Sequence, residues 1–310
     1  MKYALVFPGQ GSQYVGMGLE LAKEYGEARA VFAEADDALG RSITDLIKEG
    51  PQEELTLTWN TQPAILTASI AAYRALSPRV DLDVVGMAGH SLGEYSALVA
   101  AGAMEFADAV RTVEKRGRFM QEAVPVGEGA MYAILGLEIG KISELCNEAS
   151  TQSSLVQIAN DNCAGQTVIS GHADAAARAA EAAKAAGAKR AVKLEVSAPF
   201  HSSLMAPAAQ KLSEVLAGIN FKTPTVPVAA NVDGLMNSDP GKISGLLTDQ
   251  VSGGVKWQDC VRALAGLGAM TFVEIGPGKV LSGMLRRIER DLIAANFEKP
   301  EDLVKLTEGA

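Results

Sequence analysis

The residues best suited to chemistry lie in Gly89-His90-Ser91-Leu92-Gly93, which follows an apolar run containing Val84, Val85, Met87 and Ala88 and opens a helical pattern at 94–100. A strand that turns abruptly into a helix strains its central residue, and glycines two before and two after let the neighbouring backbones close in. The Ser91 hydroxyl then projects beside a helix N-terminus, whose amides favour an oxyanion. This is the setting of a serine nucleophile. The pentapeptide alone also fits a small-residue turn without chemistry, and the strand-to-helix context is what favours the nucleophile.

A serine nucleophile needs a base, and the chain has three histidines. His90 adjoins the serine, so its side chain should leave the elbow in another direction, and His172 sits in a Gly-His turn. By elimination His201, within Ser197-Ala198-Pro199-Phe200-His201-Ser202, is favoured as general base over a structural imidazole. No acidic third member is evident. Nucleophile and base together imply acyl chemistry.

Arg116 is the second unusual residue. In the helical segment 105–122, Asp108, Arg111, Lys115, Arg118 and Glu122 form a polar stripe, whereas Ala109, Val113, Arg116 and Met120 form one that is apolar except for the arginine. A guanidinium turned inward must find an anion, because an unpaired buried charge costs several kcal/mol. An internal Asp or Glu and a substrate carboxylate held bidentately both meet that need, and the pattern leaves both open. In Gly9-Gln10-Gly11-Ser12-Gln13, Tyr14 occupies the third dinucleotide-glycine position, and Gly11 to Gly16 is followed by Met17 rather than Lys. Neither nucleotide pattern is met. Near an acyl-serine, a backbone N–H of this loop would serve a developing oxyanion, and a plain glycine-rich turn is the other reading.

These groups must be positioned by a larger scaffold. Apolar runs at 4–7, 83–88, 226–232 and 270–275 read as buried strands, each followed by a Gly-containing turn. Separated by helical patterns, they predict a parallel α/β sheet, with the site beyond its carboxyl ends. From 125 to 197 the order is strand 130–135, helix 139–149, strand 155–159, strand 167–170, helix 173–186 and strand 191–196. This βαββαβ order predicts a small ferredoxin-like insert. Its second helix has Asp174 four residues before Arg178, Glu181 three before Lys184, and a stop at Gly187. The expected division is a large α/β subdomain over 1–124 and 198–310 and a small one over 125–197.

Composition narrows the class. With 310 residues, 48% hydrophobic and 21% charged, the chain can bury a sizeable core. A net charge of −9 disfavours nucleic acid as a partner. Cys146, Cys163 and Cys260 are odd in number and lack a CxxC pair, so neither a disulfide framework nor a metal site is expected. The start has no signal-peptide pattern and no segment is long enough to span a bilayer, so a soluble cytoplasmic protein without a membrane partner is expected.

Taken in order, Phe7-Pro8-Gly9-Gln10-Gly11-Ser12-Gln13, Gly89-His90-Ser91-Leu92-Gly93-Glu94, Lys115-Arg116-Gly117, Pro199-Phe200-His201-Ser202, and Gln250 with Val255-Lys256-Trp257 resemble malonyl-CoA:acyl carrier protein transacylase through nearly the whole chain. The resemblance implies a hydrolase-like large subdomain with a ferredoxin-like insert. It also implies ping-pong transfer of malonyl from malonyl-CoA to the phosphopantetheine thiol of an acyl carrier protein, with no cofactor of the enzyme's own, supplying fatty acid biosynthesis. A malonyl acyltransferase of a polyketide pathway and a serine thioesterase are the alternatives. Carried over by position, Ser91 matches the nucleophile, His201 its base, and Gln250 the residue whose backbone carbonyl orients that base. Gln10 and Leu92 match the oxyanion-hole amides, Arg116 the malonyl-carboxylate ligand, and Phe200 the malonyl-selective form of its motif. Two positions depart from the pattern: Gly254 stands where Pro is usual before Val-x-Trp, and Ala164 replaces a common Pro in Asn160-Asp161-Asn162-Cys163-Ala164-Gly165-Gln166. A monomer is expected. Because carrier proteins are typically acidic, Lys189, Arg190, Lys193, Lys279, Arg286 and Arg287 are candidates for the docking face.

Overall fold

The computed structural model describes residues 1–125, 127–196 and 198–308. In chain order its strands are β1 (Lys2–Phe7), β2 (Asp83–Gly89), β3 (Gly129–Leu135), β4 (Val156–Cys163), β5 (Gln166–His172), β6 (Arg190–Lys193), β7 (Val228–Ala229), β8 (Met236–Asn237), β9 (Thr271–Ile275) and β10 (Ile293–Phe297). They make a six-stranded sheet, β10-β9-β1-β2-β7-β8, and a four-stranded one, β4-β5-β3-β6.

The six-stranded sheet is buried on both faces, which is why its strands read as unbroken apolar runs. Along β1, Tyr3, Leu5 and Phe7 enter one core with the helix Thr58–Leu76, while Ala4 and Val6 enter another with Trp257, Val261 and Leu285. Pairing is parallel from β10 to β7, and β8 alone runs antiparallel, folded back on β7 as a short hairpin. The sheet is therefore parallel as expected over five strands and mixed only at that edge.

The smaller sheet is antiparallel throughout and has the expected βαββαβ order. The helices Ile139–Ala149 and Ala173–Ala185 cover one face, through Ile142, Leu145 and the row Ala175, Ala176, Ala179, Ala180 and Ala183. The exposed Asp174–Arg178 pair on the second helix, at 2.8 Å, is screened by solvent and adds little; close packing of the alanine row decides the helix's place. The other face, through Met131, Ala159 and Val168, packs into the main core. The carboxyl ends of β1, β2 and β7 consequently open toward the small sheet.

Several expected boundaries shift. The strand at 226–232 shrinks to Val228–Ala229 because Pro227 has no N–H and the Asn231 N–H is diverted to the Glu94 carboxylate at 2.9 Å. Conversely β4 runs on to Cys163, with irregularities at Ile158/Asn160 and Asp161/Cys163. Asn160, Asp161 and Asn162 concealed that continuation by breaking the apolar run. The strand at 191–196 ends at Lys193. β10, half-exposed at the sheet edge, had no expectation attached to it. Ser197, the expected end of the insert, lies outside the described residues, as do Val126, Gly309 and Ala310. Among the described residues no helix is long and apolar enough to cross a membrane.

Candidate active site

The register Phe7↔Gly89 sets the loop after β1 beside the elbow after β2. Three glycines make this possible by close approach. A Cβ on Gly89 would collide with the Gly93 backbone, one on Gly93 with the Phe7 carbonyl, and one on Gly9 with the His90 carbonyl. Ser91 itself has φ 51°, a left-handed conformation that costs a non-glycine residue about 1–3 kcal/mol. Asn231 holds it there, accepting from the Ser91 N–H at 2.7 Å and donating to the Gly89 carbonyl at 2.8 Å.

His201 has the same unusual conformation, φ 56°, and is buried. Its Nδ1 faces two backbone carbonyls, Gln250 at 2.9 Å and Gly253 at 3.2 Å. Carbonyls only accept, so Nδ1 carries the proton and Nε2 is the acceptor. That Nε2 lies 2.7 Å from Ser91 Oγ. Burial, then the nearby Arg116 charge, lower the His201 pKa to about 3, so the ring is neutral and able to take a proton. Gly254 in place of Pro leaves this geometry intact: the next residue, Val255, donates to the Ala159 carbonyl at 2.8 Å and accepts from Asp161 at 2.9 Å, tying the loop to β4. Gln157 braces the same place, with Nε2 3.4 Å from both the His201 and Ser252 carbonyls.

Arg116 is 2% exposed on the helix Phe106–Glu122, which can approach Thr58–Leu76 because Gly117 presses on the Thr58 carbonyl and the Trp59 backbone. Among the described residues no Asp or Glu meets it. Nη1 donates to Gln62 Oε1 at 2.7 Å, and Nη2 to Gln250 Oε1 at 2.9 Å and Ser91 Oγ at 3.0 Å. Nε has no partner among the described residues. Among the described residues this buried cation thus donates to neutral acceptors alone, with the Tyr95 ring centre 5.7 Å from its Cζ.

Ser91, His201, Arg116, Gln10 and Phe200 line one cavity of about 340 Å3, closed on the other side by Met131, Asn160 and Leu194. A second cavity of about 280 Å3 shares Gln10, Gly11, His90, Asn160 and Leu194 and continues to Val280 and Met284. Leu92 is buried at the start of the helix Gly93–Ala100. Among the described residues, neither its amide nor that of Gln10 donates a hydrogen bond within the protein. Neither of the other histidines bonds Ser91 Oγ: His90, which lines both cavities, has Nε2 2.8 Å from Asn162 Oδ1, and His172 Nδ1 accepts from Leu155 N–H at 2.9 Å. Lys189, Arg190, Lys193, Lys279, Arg286 and Arg287 are all exposed. Lys189 and Arg287 share the rim of one depression, where Arg287 also bonds Gln166 and Ala164, both at 2.8 Å.

The sequence reading missed Gln62, Asn231 and Glu94. Glu94 left a signal, as the only charged residue in the otherwise uncharged, buried helix Gly93–Ala100. Gln62 left a weaker one, in the buried polar run Asn60, Thr61, Gln62 ahead of an apolar helix. Asn231 left none.

Comparison with known proteins places the chain firmly. Residues 4–301 match the acyl transferase domain family. The chain is 49% identical to the malonyl CoA-acyl carrier protein transacylase of Bacillus subtilis, covering 97% of this chain and 95% of that one, and 49% identical to that of Escherichia coli K12, covering 99% of each. The fold superposes on a Vibrio cholerae acyl carrier protein S-malonyltransferase with TM-score 0.96 at 45% identity, covering 99% of this chain and 100% of that one. It also superposes on a malonyl-transacylase solved with a type II polyketide acyl-carrier protein, with TM-score 0.97 at 46% identity and full coverage of both chains, 100% each. With likeness of this extent in sequence and in fold, the chain belongs to the malonyl-CoA:acyl carrier protein transacylase family.

Proposed function

We propose that the protein transfers the malonyl group of malonyl-CoA to the phosphopantetheine thiol of an acyl carrier protein through a malonyl-Ser91 ester, acting as a cytoplasmic monomer that supplies fatty acid biosynthesis. One observation carries the reading. Arg116, a buried guanidinium that meets no carboxylate among the described residues, lies 3.0 Å from the same Ser91 oxygen that meets His201 at 2.7 Å. A nucleophile, a base and a receptor for a charged acyl group thereby share one cavity.

In the first half-reaction His201 Nε2 takes the Ser91 proton, and Oγ bonds to the thioester carbonyl carbon. The Gln10 and Leu92 amides receive the developing oxyanion, Arg116 holds the malonyl carboxylate, and Phe200 shapes the acyl pocket. The carbon–sulfur bond then breaks, and His201 returns its proton to the CoA sulfur. In the second half the carrier's thiol gives its proton to His201, its sulfur attacks the malonyl ester, and Ser91 recovers the proton. The Gln250 carbonyl keeps His201 in the required tautomer throughout. On this reading the subdomains 1–124 with 198–310 and 125–197 meet at the cavity. Lys189 and Arg287, with Arg190, Lys193, Lys279 and Arg286, would face an acidic carrier.

Intact-mass measurement after exposure to malonyl-CoA tests the covalent route. A malonyl adduct is expected on the parent protein and not on Ser91→Ala; its absence from the parent would falsify the route. Offering the loaded protein fatty-acid and polyketide carrier proteins in parallel then separates the two pathways. The polyketide reading is kept because a structural relative is solved with a carrier of that type. Release of free malonate without any carrier would instead indicate a thioesterase.

A further inference from the structure

Among the described residues Arg116 touches no carboxylate, but one lies just past its neighbour Gln250. Glu94, 3% exposed, accepts from the Asn231 N–H at 2.9 Å and from Gln250 Nε2 at 2.8 Å. The same Gln250 amide donates Nε2 to the Ser91 carbonyl at 3.0 Å and receives Arg116 Nη2 on Oε1 at 2.9 Å. Only one of the two amide orientations satisfies all three neighbours: Arg116 offers donors alone, whereas an ionised Glu94 and the Ser91 carbonyl offer acceptors alone.

We propose that Glu94 is a positioning residue for acyl selection: through the Gln250 side chain it is the counter-charge that holds Arg116 ready for an acyl carboxylate without occupying the guanidinium. This rests on the reading of Arg116 as the carboxylate's ligand. A carboxylate in direct contact would form a bidentate pair and compete with the substrate. No carboxylate at all would leave the buried cation uncompensated. One intervening amide avoids both. Burial outweighs the Asn231 and Gln250 donors and the Arg116 charge, which favour ionisation, and holds the Glu94 carboxyl at about 7, so the carboxylate is present at and above neutral pH. Glu94 also reaches the elbow through Asn231, whose Oδ1 accepts the Ser91 N–H at 2.7 Å. It therefore supports both the nucleophile and the acyl-binding cation, and only the second role predicts an effect on which acyl group is chosen.

The test compares rates of covalent loading of Ser91 from malonyl-CoA and from acetyl-CoA, followed by quenched intact mass on the full chain. Arg116→Ala is expected to lower the malonyl-to-acetyl ratio most. Glu94→Gln is expected to lower it roughly tenfold, the size of one charge-assisted hydrogen bond. Gln250→Met, which keeps the backbone carbonyl that orients His201, is expected to do the same, and it decides the matter if Glu94→Gln fails to fold. In an Arg116→Ala background, Glu94→Gln is expected to leave the ratio where it is. Equal loss of both rates in Glu94→Gln and in Gln250→Met, or an undiminished change of ratio without Arg116, overturns the proposal while the carboxylate reading stands. An unchanged ratio in Arg116→Ala overturns that reading, and this one with it.

Discussion

The two walls of the cavity are built differently. One is made by the elbow after β2, the helices Thr58–Leu76 and Phe106–Glu122, and the buried turn at 198–202, and it supplies Ser91, Gln62, Arg116 and His201, each bonded to another polar group. The other comes from the small sheet and offers Met131, Leu194 and Val196, with Asn160 and the exposed Glu195. The groups that interlock around Ser91 sit on an elbow, two helices and a buried turn packed over the large sheet, where a displaced side chain meets close packing on every side. The small sheet, covered by helices on one face only, contributes shape. On the proposed function, the contrast would give bond-making to the first wall and substrate fit to the second.

That division can be broken by experiment. The largest effect should come from His201→Ala, which removes the acceptor for the Ser91 proton: malonyl loading should fall by roughly 10^4-fold or more, measured by single-turnover quench. A loss of only a few-fold would show that the first wall does not carry proton transfer. A smaller and more selective sign is the state of the base itself. With its pKa lowered to about 3 from an ordinary 6.5 by burial and the Arg116 charge, the His201 ring should show no titration by NMR between about pH 8 and 5. An inflection close to the ordinary value would mean that the ring is solvated. The sign for stability follows: the folded chain binds fewer protons than the unfolded one, so the contribution of His201 is present above 6.5 and lost as pH falls through about 3. Glu94 acts oppositely, its contribution present below 4.5 and lost as pH rises through about 7. The smallest effect belongs to the second wall. Met131→Ala should change the loading rate at saturating malonyl-CoA by no more than about threefold while raising KM, and a collapse of kcat would erase the distinction drawn here.

Much of this site was legible because its signals were local. The glycines around Ser91 announce a close approach whatever lies elsewhere, and a chain with three histidines makes elimination effective. Arg116 declared itself by interrupting an apolar stripe. The helices of the small sheet were readable from their periodicity, and Ile139–Ala149 falls where expected. What stayed hidden acts over long separations. Asn231 meets Ser91 across 140 residues and Gln250 meets Arg116 across 134, and no pattern in one segment encodes a partner in another. Where such partners draw backbone groups away from a ladder, as Asn231 does beside β7, the strand itself becomes shorter than its sequence suggests.

The hydrogen bond from Arg116 to Ser91 Oγ gives the proposed reaction an order of events. At rest the oxygen is latched on one side by the guanidinium, while its proton is turned toward His201 on the other. On the proposed reading, a malonyl carboxylate draws on that same guanidinium. As it does so it releases a lone pair on the nucleophile and offsets the charge that depresses the base, so recognition and activation become one step. A substrate without the carboxylate can fill the cavity and still find the latch closed. Discrimination would then be felt as a slower turnover as well as a weaker hold.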